Sequence, residues 1–206
     1  MRRTTRFTLL LLVALAGAAA LAAKTVFDRG LGARAEPWPV EEWVARRARY
    51  LATPRAERER TNPLPASTAV LAAGRGHFAD HCAVCHSNDG SGKTAFGWAM
   101  YPRAPNLRGP ATQALSDGEV FSVIRNGIRF TGMPAFGEGP PEDDRETWHL
   151  VHFIRHLPSL TAEELAEMQD LNPKSRAALR EEEEIRRFLA GDAAAAPEPA
   201  AGGHGH

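Results

Sequence analysis

Two cysteines and a histidine lie within five consecutive positions of this chain. Cys82 and Cys85, its only cysteines, are separated by two residues, and His86 follows directly. On a helix this spacing places the thiols about one turn apart, so each can add to one of the two vinyl groups of a porphyrin while His86 faces the iron. C-x-x-C-H is the attachment signature of a c-type haem. We therefore predict one covalent haem c, with His86 as an axial iron ligand.

Two other kinds of site also use closely spaced cysteines. A thioredoxin-like dithiol uses C-x-x-C within a βαβ unit, which the helical pattern of this chain does not provide. A structural zinc site needs four ligands, normally with a second pair at similar spacing, and no second C-x-x-C or C-x-x-H is present. A disulfide framework would join cysteines far apart in sequence. The sequence therefore favours haem attachment.

The iron of such a haem has a sixth coordination position, for which Met133 is the best candidate. It lies in the Gly- and Pro-containing segment Thr131–Phe136, 47 residues after His86, which is enough chain to pass round a porphyrin and reach its opposite face. Methionine more often fills gaps in a core. The other methionines are placed less well, in the N-terminal segment, near the attachment turn and on a helix beyond the apparent domain (Met1, Met100 and Met168). We predict Met133 as the second axial ligand.

The N-terminus has the pattern of an export segment. Three arginines among the first six residues precede an uncharged apolar stretch, residues 7–23, as in a signal peptide. The stretch is slightly shorter than the ~20 residues that span a bilayer comfortably, but longer than the apolar region of most cleaved signals. Residues 1–27 are therefore predicted to be a signal peptide or an N-terminal membrane anchor, of which we favour the anchor. The arginines place everything after Lys24 on the periplasmic side.

The remainder of the chain is predicted to be all-α. Helical periodicity recurs along it. A helix capped by Ser67 or Thr68 is predicted to run into the cysteines, and two capping boxes predict further helices (Ser116 with Glu119, and Thr161 with Glu164). No segment alternates convincingly at the two-residue period of a strand. The predicted segments are a linker with a short amphipathic helix over about residues 40–51, a helical domain, a helical extension and a disordered tail (28–66, 67–158, 159–191 and 192–206). The amphipathic helix either packs on the domain or lies on the membrane surface.

Beyond the C-x-x-C-H motif, the stretch from about Val70 to Leu157 resembles a small class I cytochrome c. Gly74 and Phe78 are similar to the small residue and the aromatic through which the first helix of that family crosses the last. The expected partners on the last helix are Leu150 and Phe153. The resemblance implies a small cytochrome c fold of three to five helices wrapped round one covalently bound haem, with extra N- and C-terminal helices.

Two loops extend the resemblance. Ser87–Gly92 resembles the family's glycine-bearing turn, and Ala104–Leu107 resembles its proline loop. The second implies that the Pro105 carbonyl accepts the second ring N–H of His86, which orients the ring, and that Leu107 lies against the porphyrin. The segment between the two loops is longer than in the shortest family members. Residues there and beyond are candidates to cover a haem edge or bind a propionate (Trp98, Met100, Tyr101, Arg103, Arg108, Arg125 and Arg129).

Two protein ligands and four porphyrin nitrogens would saturate the iron and leave no position for a substrate. We therefore expect an electron carrier rather than an enzyme, exchanging single electrons with redox protein donors and acceptors. No small-molecule substrate is expected, and a net charge of +0 argues against a nucleic acid partner. Two alternatives stay open: a haem enzyme or gas sensor whose Met133 dissociates, and a fixed cytochrome subunit of an oxidoreductase complex.

Further histidines raise the question of a second metal. His149, His152 and His156 recur at a spacing of three and four, and the chain ends with His204 and His206. Such spacing can hold copper, nickel or zinc. The plainer interpretation is a solvated helix face and a flexible tail.

Overall fold

The computed structural model describes residues 2–30 and 32–190 and is helical there, without a β-strand. The all-α prediction is therefore confirmed. The α-helices of the described residues are α1 (Arg2–Arg29), α2 (Pro39–Ala52), α3 (Arg55–Arg58), α4 (Thr68–His77), α5 (Ala83–His86), α6 (Ala95–Ala99), α7 (Pro110–Gln113), α8 (Asp117–Asn126), α9 (Arg145–His156), α10 (Ala162–Leu171) and α11 (Arg176–Leu189). A π-helical turn, Phe78–Cys82, joins α4 to α5, and a 3₁₀ turn, Leu157–Ser159, follows α9.

Several helices begin at side chains that satisfy their first N–H groups. Ser67 caps α4. Ser116 and Glu119 form the predicted capping box of α8, each accepting from the other's backbone N–H. Thr161 and Glu164 bond in the same reciprocal way before α10. Such caps contribute about 1 kcal/mol each, which explains why these helices begin where the sequence predicts.

The centre of the fold is the crossing of α4 and α9. A Cβ atom on Gly74 would lie 2.3 Å from the backbone oxygen of His149 and 2.9 Å from Cβ of Phe153, so only glycine allows this approach. The rings of Phe78 and Phe153 are fully buried, with centroids 5.2 Å apart. Leu150 belongs to the same core. The crossing that the cytochrome resemblance implies is therefore present.

Part of the predicted linker is packed on the domain. Gly118 of α8 lies so close to α3 that a Cβ atom there would be 2.1 Å from the backbone oxygen of Glu57. The amide of Asn62 donates to the backbone oxygen of Trp148 at 3.0 Å, and the neighbouring Leu64 is buried in the core. Residues 55–64 therefore extend the domain rather than act as a free tether.

The helices after Pro158 divide into two parts. The described residues up to Leu171 form one compact unit, whereas those from Asn172 form a second that contains α11. Within the first unit α10 is anchored by Met168, which is fully buried. The predicted extension 159–191 is thus divided at Leu171. The tail predicted over 192–206 lies outside the described residues.

An ionic cluster also fixes α10. Glu164 lies 3.1 Å from the guanidinium of Arg75 on α4 and 3.0 Å from Nε2 of His156 on α9. Partial burial disfavours the charged form of Glu164. The Thr161 N–H, the His156 ring and the Arg75 charge together outweigh this cost and lower the Glu164 pKa. The carboxylate therefore favours the docked position of α10 when it is ionised.

We expect Glu164→Gln to weaken the fold in a pH-dependent way. A pKa lowered by folding contributes stability above the unfolded value, ~4.3, and this stability is lost as the pH falls through the folded value. The variant should lose about 1–2 kcal/mol of unfolding free energy at pH 7, and progressively less below about pH 4. Denaturant unfolding at a series of pH values measures this. Glu163→Gln, at the exposed neighbour, is the control, and a pH-independent loss in Glu164→Gln would contradict the argument.

Candidate functional site

The C-x-x-C-H residues lie where the chain leaves α4. Cys82 ends the π-helical turn, and Cys85 and His86 lie on α5. The Ala83 N–H bonds to the oxygen of Phe78, five residues earlier, so the turn holds one residue more than an α-helical turn. Side chains beyond it are therefore rotated by about 100° relative to an uninterrupted helix. Such turns are frequent at functional sites, and nothing in the sequence signals this one.

The two thiols are unpaired and partly buried. Burial, reinforced by the neighbouring Cys85, raises the pKa of Cys82 to about 12. Burial also raises the pKa of Cys85. Both groups are therefore protonated at neutral pH, whereas a catalytic redox dithiol relies on a lowered thiol pKa. The raised pKa values of the two thiols therefore count against the thioredoxin-like alternative.

The imidazole of His86 is buried and held at one nitrogen. Only 9% of the residue is exposed, and burial lowers its pKa although the Pro105 contact opposes the shift. The ring is thus neutral, the form that binds metals. Its Nδ1 lies 3.4 Å from the carbonyl oxygen of Pro105, a long hydrogen bond and the contact that the cytochrome resemblance implies. Nε2 is thus the ring nitrogen that remains available to bind a metal.

The loop that supplies Pro105 is fastened to the histidine turn. The Gly92 N–H donates to the backbone oxygen of His86 at 2.8 Å, and the Leu107 N–H donates to that of Gly90 at 2.8 Å. A Cβ atom on Gly92 would lie 2.3 Å from the backbone oxygen of Ala104. Leu107 is buried in the core. The two loops singled out by the resemblance are therefore packed on one another, with glycine required at their contact.

Met133 lies in a loop folded back along the end of α8. Its N–H bonds to Oγ1 of Thr131, and its carbonyl accepts from the Ile128 N–H, both at 3.1 Å. The side chain is half-buried. A Cβ atom on the adjacent Gly132 would lie 2.1 Å from Sδ of Met100. The structure thus places a second thioether beside the Met133 loop, although sequence reasoning set Met100 aside.

Three of the arginines considered for a haem propionate face protein carboxylates. Arg125 lies 2.7 Å from Asp144, which is almost fully buried, and Arg103 lies 2.8 Å from Glu36. Arg108 lies 3.7 Å from Asp89. Each of these guanidinium groups therefore has a carboxylate neighbour within the chain, although the buried Nε of Arg103 has no hydrogen-bond partner. The sequence offered no sign of this pairing, because the partners lie in other segments.

The histidines of α9 do not form a metal site. Nε2 of His152 lies 2.8 Å from the backbone oxygen of Leu64, and Nε2 of His156 bonds to Glu164. Among the residues that the structure describes, no group of three His, Cys, Asp or Glu side chains could hold a metal ion. The helix face is therefore not the solvated surface that the plain interpretation predicts, since two of its histidines fasten other segments. His204 and His206 lie outside the described residues.

The donor set of this region fits a covalently bound haem. Two unpaired thiols stand three positions apart, and a buried neutral imidazole follows with one nitrogen already engaged. Cys82 packs against the apolar core, where a porphyrin face would be shielded from water. Met133 offers a thioether of the kind found as a haem ligand, from a loop that its own hydrogen bonds hold in place.

Comparisons with known proteins give one family. Residues 69–154 match the model of the family described as cytochrome c oxidase, cbb3-type, subunit III. The matched segment runs from α4 to α9 and contains Cys82, Cys85, His86 and Met133. No curated protein matches the chain.

Proposed function

We propose that this chain, whose residues 69–154 form a c-type cytochrome domain, transfers single electrons with a haem iron held between His86 and Met133. The c-type haem supplies reversible one-electron chemistry at its iron. Cys82 and Cys85 hold the group covalently, and His86 is the first axial ligand. The observation that carries the proposal is the buried His86 ring, one turn from two unpaired thiols and oriented by Pro105.

Met133 as second ligand completes the assignment. Its loop is short and fixed by hydrogen bonds on both sides of the methionine, so a thioether there loses little freedom on binding. A soft thioether ligand favours the reduced iron and raises the potential. With both axial positions filled by protein, the iron has no open position for a substrate, which favours electron transfer over catalysis.

The N-terminal helix α1 supports a location of the chain at a membrane. Among the residues described, α1 alone is long and apolar enough to cross a membrane. Its arginine-rich start favours the cytoplasmic side, and on this basis we propose that the cytochrome domain lies on the periplasmic side. Redox proteins at that surface are then the electron donors and acceptors.

A second candidate function is that of a fixed subunit in an oxidoreductase complex. The family match favours it, since that family is described as an oxidase subunit. Mild solubilisation followed by co-purification distinguishes the two. A free carrier should be recovered alone, whereas a fixed subunit should be recovered in constant ratio with larger redox proteins.

The ligand assignment is tested with Met133→Ala and a matched control, Met100→Ala. Met100 carries the same side chain and lies beside the same loop, but it is not the proposed ligand. We expect Met133→Ala to lose the weak Met–Fe band near the red end of the oxidised spectrum. Its reduced form should bind carbon monoxide stoichiometrically, whereas the wild-type protein and Met100→Ala should not.

Visible spectra recorded during a redox titration of the purified proteins measure these outcomes. Retention of the band in Met133→Ala would exclude Met133 as the ligand. Carbon monoxide binding by the reduced wild-type protein would instead favour the gas sensor or haem enzyme, in which the sixth position is open.

A further inference from the structure

Helix α2 presents an apolar stripe to solvent. The stripe consists of Val40, Trp43, Val44 and Leu51, which are 60%, 66%, 51% and 66% exposed. These positions recur at helical spacing, and no residue of α2 is buried. The stripe therefore does not pack on the domain, the first of the two roles that the sequence left open for this helix.

The opposite face of α2 is the one that meets the domain. Glu41 accepts a hydrogen bond from the hydroxyl of Tyr101, and Arg49 is half-buried near Glu119. At about 100° per residue, Arg49 lies opposite the centre of the stripe, and Glu41 lies on the flank of the helix, about 100° from that centre. The domain thus holds α2 by its polar face and leaves the apolar face outermost.

Contacts at the two ends of α2 fix the helix further. Arg103 donates to the carboxylate of Glu36 at 2.8 Å, just before the helix. The guanidinium of Arg58 lies 3.9 Å from the centroid of the Tyr50 ring and donates to the Tyr50 carbonyl at 3.0 Å. These contacts hold both ends of α2 against the domain, so the outward orientation of the stripe is fixed by the fold.

A bilayer surface is close enough to cover the stripe. Only residues 30–38 separate α2 from α1, and nine residues reach at most about 30 Å even when fully extended. Tryptophan, present in the stripe as Trp43, favours the membrane interface. Arg47, whose position falls within the stripe, can reach lipid phosphates while its stem stays among the apolar groups. Tryptophan and arginine are also enriched at protein interfaces, so the choice of a bilayer rests on the short connection from α1 to α2.

We propose that α2 lies in the plane of the membrane interface, with the apolar stripe inserted among the acyl chains of an anionic bilayer. This inference rests on α1 being retained as a membrane anchor. Because Tyr101 and Arg103 belong to the segment that leads to Pro105, their bonds to Glu41 and Glu36 link α2 to the haem site. The inserted helix therefore sets the orientation of the cytochrome domain to the membrane.

The depth of α2 is measured on the full-length, haem-loaded protein in vesicles of phosphatidylethanolamine and phosphatidylglycerol. A fluorophore is attached to the thiol of Leu51→Cys, on the stripe, or of Glu42→Cys, an exposed position on the opposite side of the same helix. Fluorescence is compared between vesicles with and without bromine on the acyl chains. We expect several-fold stronger quenching by the brominated lipids at position 51 than at position 42.

The outcomes distinguish a failure of α1 as an anchor from a failure of the proposed insertion of α2. A protein that floats with the vesicles but shows equal, weak quenching at both positions overturns the placement of α2 and leaves the anchor intact. A stripe covered by a second protein molecule would give that same unquenched result. A protein that does not float with the vesicles overturns both, without bearing on the electron-transfer assignment, which the ligand variants test separately.

Discussion

Replacing both Cys82 and Cys85 by serine is expected to abolish covalent haem attachment completely. In the proposed attachment each thiol supplies one bond to the macrocycle, so each single variant should keep one bond and the double variant none. The measurement is the intact mass of the mature polypeptide after acid-acetone extraction. The wild-type chain should retain the mass of one haem, whereas the double variant should weigh only as much as its amino acids.

One of the two residues between the cysteines, Val84, provides a matched control for this experiment. Val84 is 51% exposed and carries no donor, so Val84→Ala should keep the wild-type haem content. Without haem, a domain of about 100 residues has a small apolar core of its own. The double variant should therefore also accumulate poorly. A double variant that retains extraction-resistant haem would remove the attachment role from both cysteines.

Local chemistry explains the features that the sequence predicts well. The capping pairs at Ser116 and Thr161 act over three residues, so their spacing is enough to identify them. The C-x-x-C-H spacing likewise places three side chains within one turn. The crossing at Gly74 joins segments that are distant in sequence. It could be predicted only from the resemblance to class I cytochromes, which implies the fold.

Contacts between distant segments explain what the sequence did not reveal. The sulfur of Met100 lies against Gly132, and Arg103 is paired with Glu36. Neither pairing has a local pattern, since each depends on how the chain returns on itself. The sequence predicts a solvated surface position for His152, yet its ring bonds to the backbone oxygen of Leu64, 88 positions earlier. Spacing alone could not separate a solvated histidine from one that fastens a neighbouring segment.

The π-helical turn is a feature that helical periodicity in the sequence cannot predict. A helix predicted to run from Ser67 into the cysteines has the correct extent, but an extra residue in the turn Phe78–Cys82 changes which way the thiols point. Helical propensity is the same on both sides of such a turn. The extra residue is set by tertiary packing. Phe78 packs into the core before the turn, and His86 is buried after it. These contacts exist only in the folded chain.

Replacing Gly74 by alanine should cause the largest loss of stability of any single methyl addition on α4. The new Cβ would lie 2.3 Å from the backbone oxygen of His149, and backbone cannot move aside as a flexible side chain can. Overpacking of this kind costs about 2–3 kcal/mol, so the melting temperature should fall by about 10 °C. Separation of α4 from α9 should also loosen the Phe78–Phe153 contact, which thermal unfolding followed by near-UV circular dichroism would detect.

Gly76→Ala, two residues further along α4, is the matched control. A Cβ atom there meets nothing within 4 Å, so alanine should stabilise the helix by about 0.5–1 kcal/mol through its higher helix propensity. The two variants add the same methyl group to the same helix and should shift the melting temperature in opposite directions. Equal stability of the two would mean that α4 and α9 do not approach each other at Gly74. The packing that positions Cys82 and His86 would then have to be different.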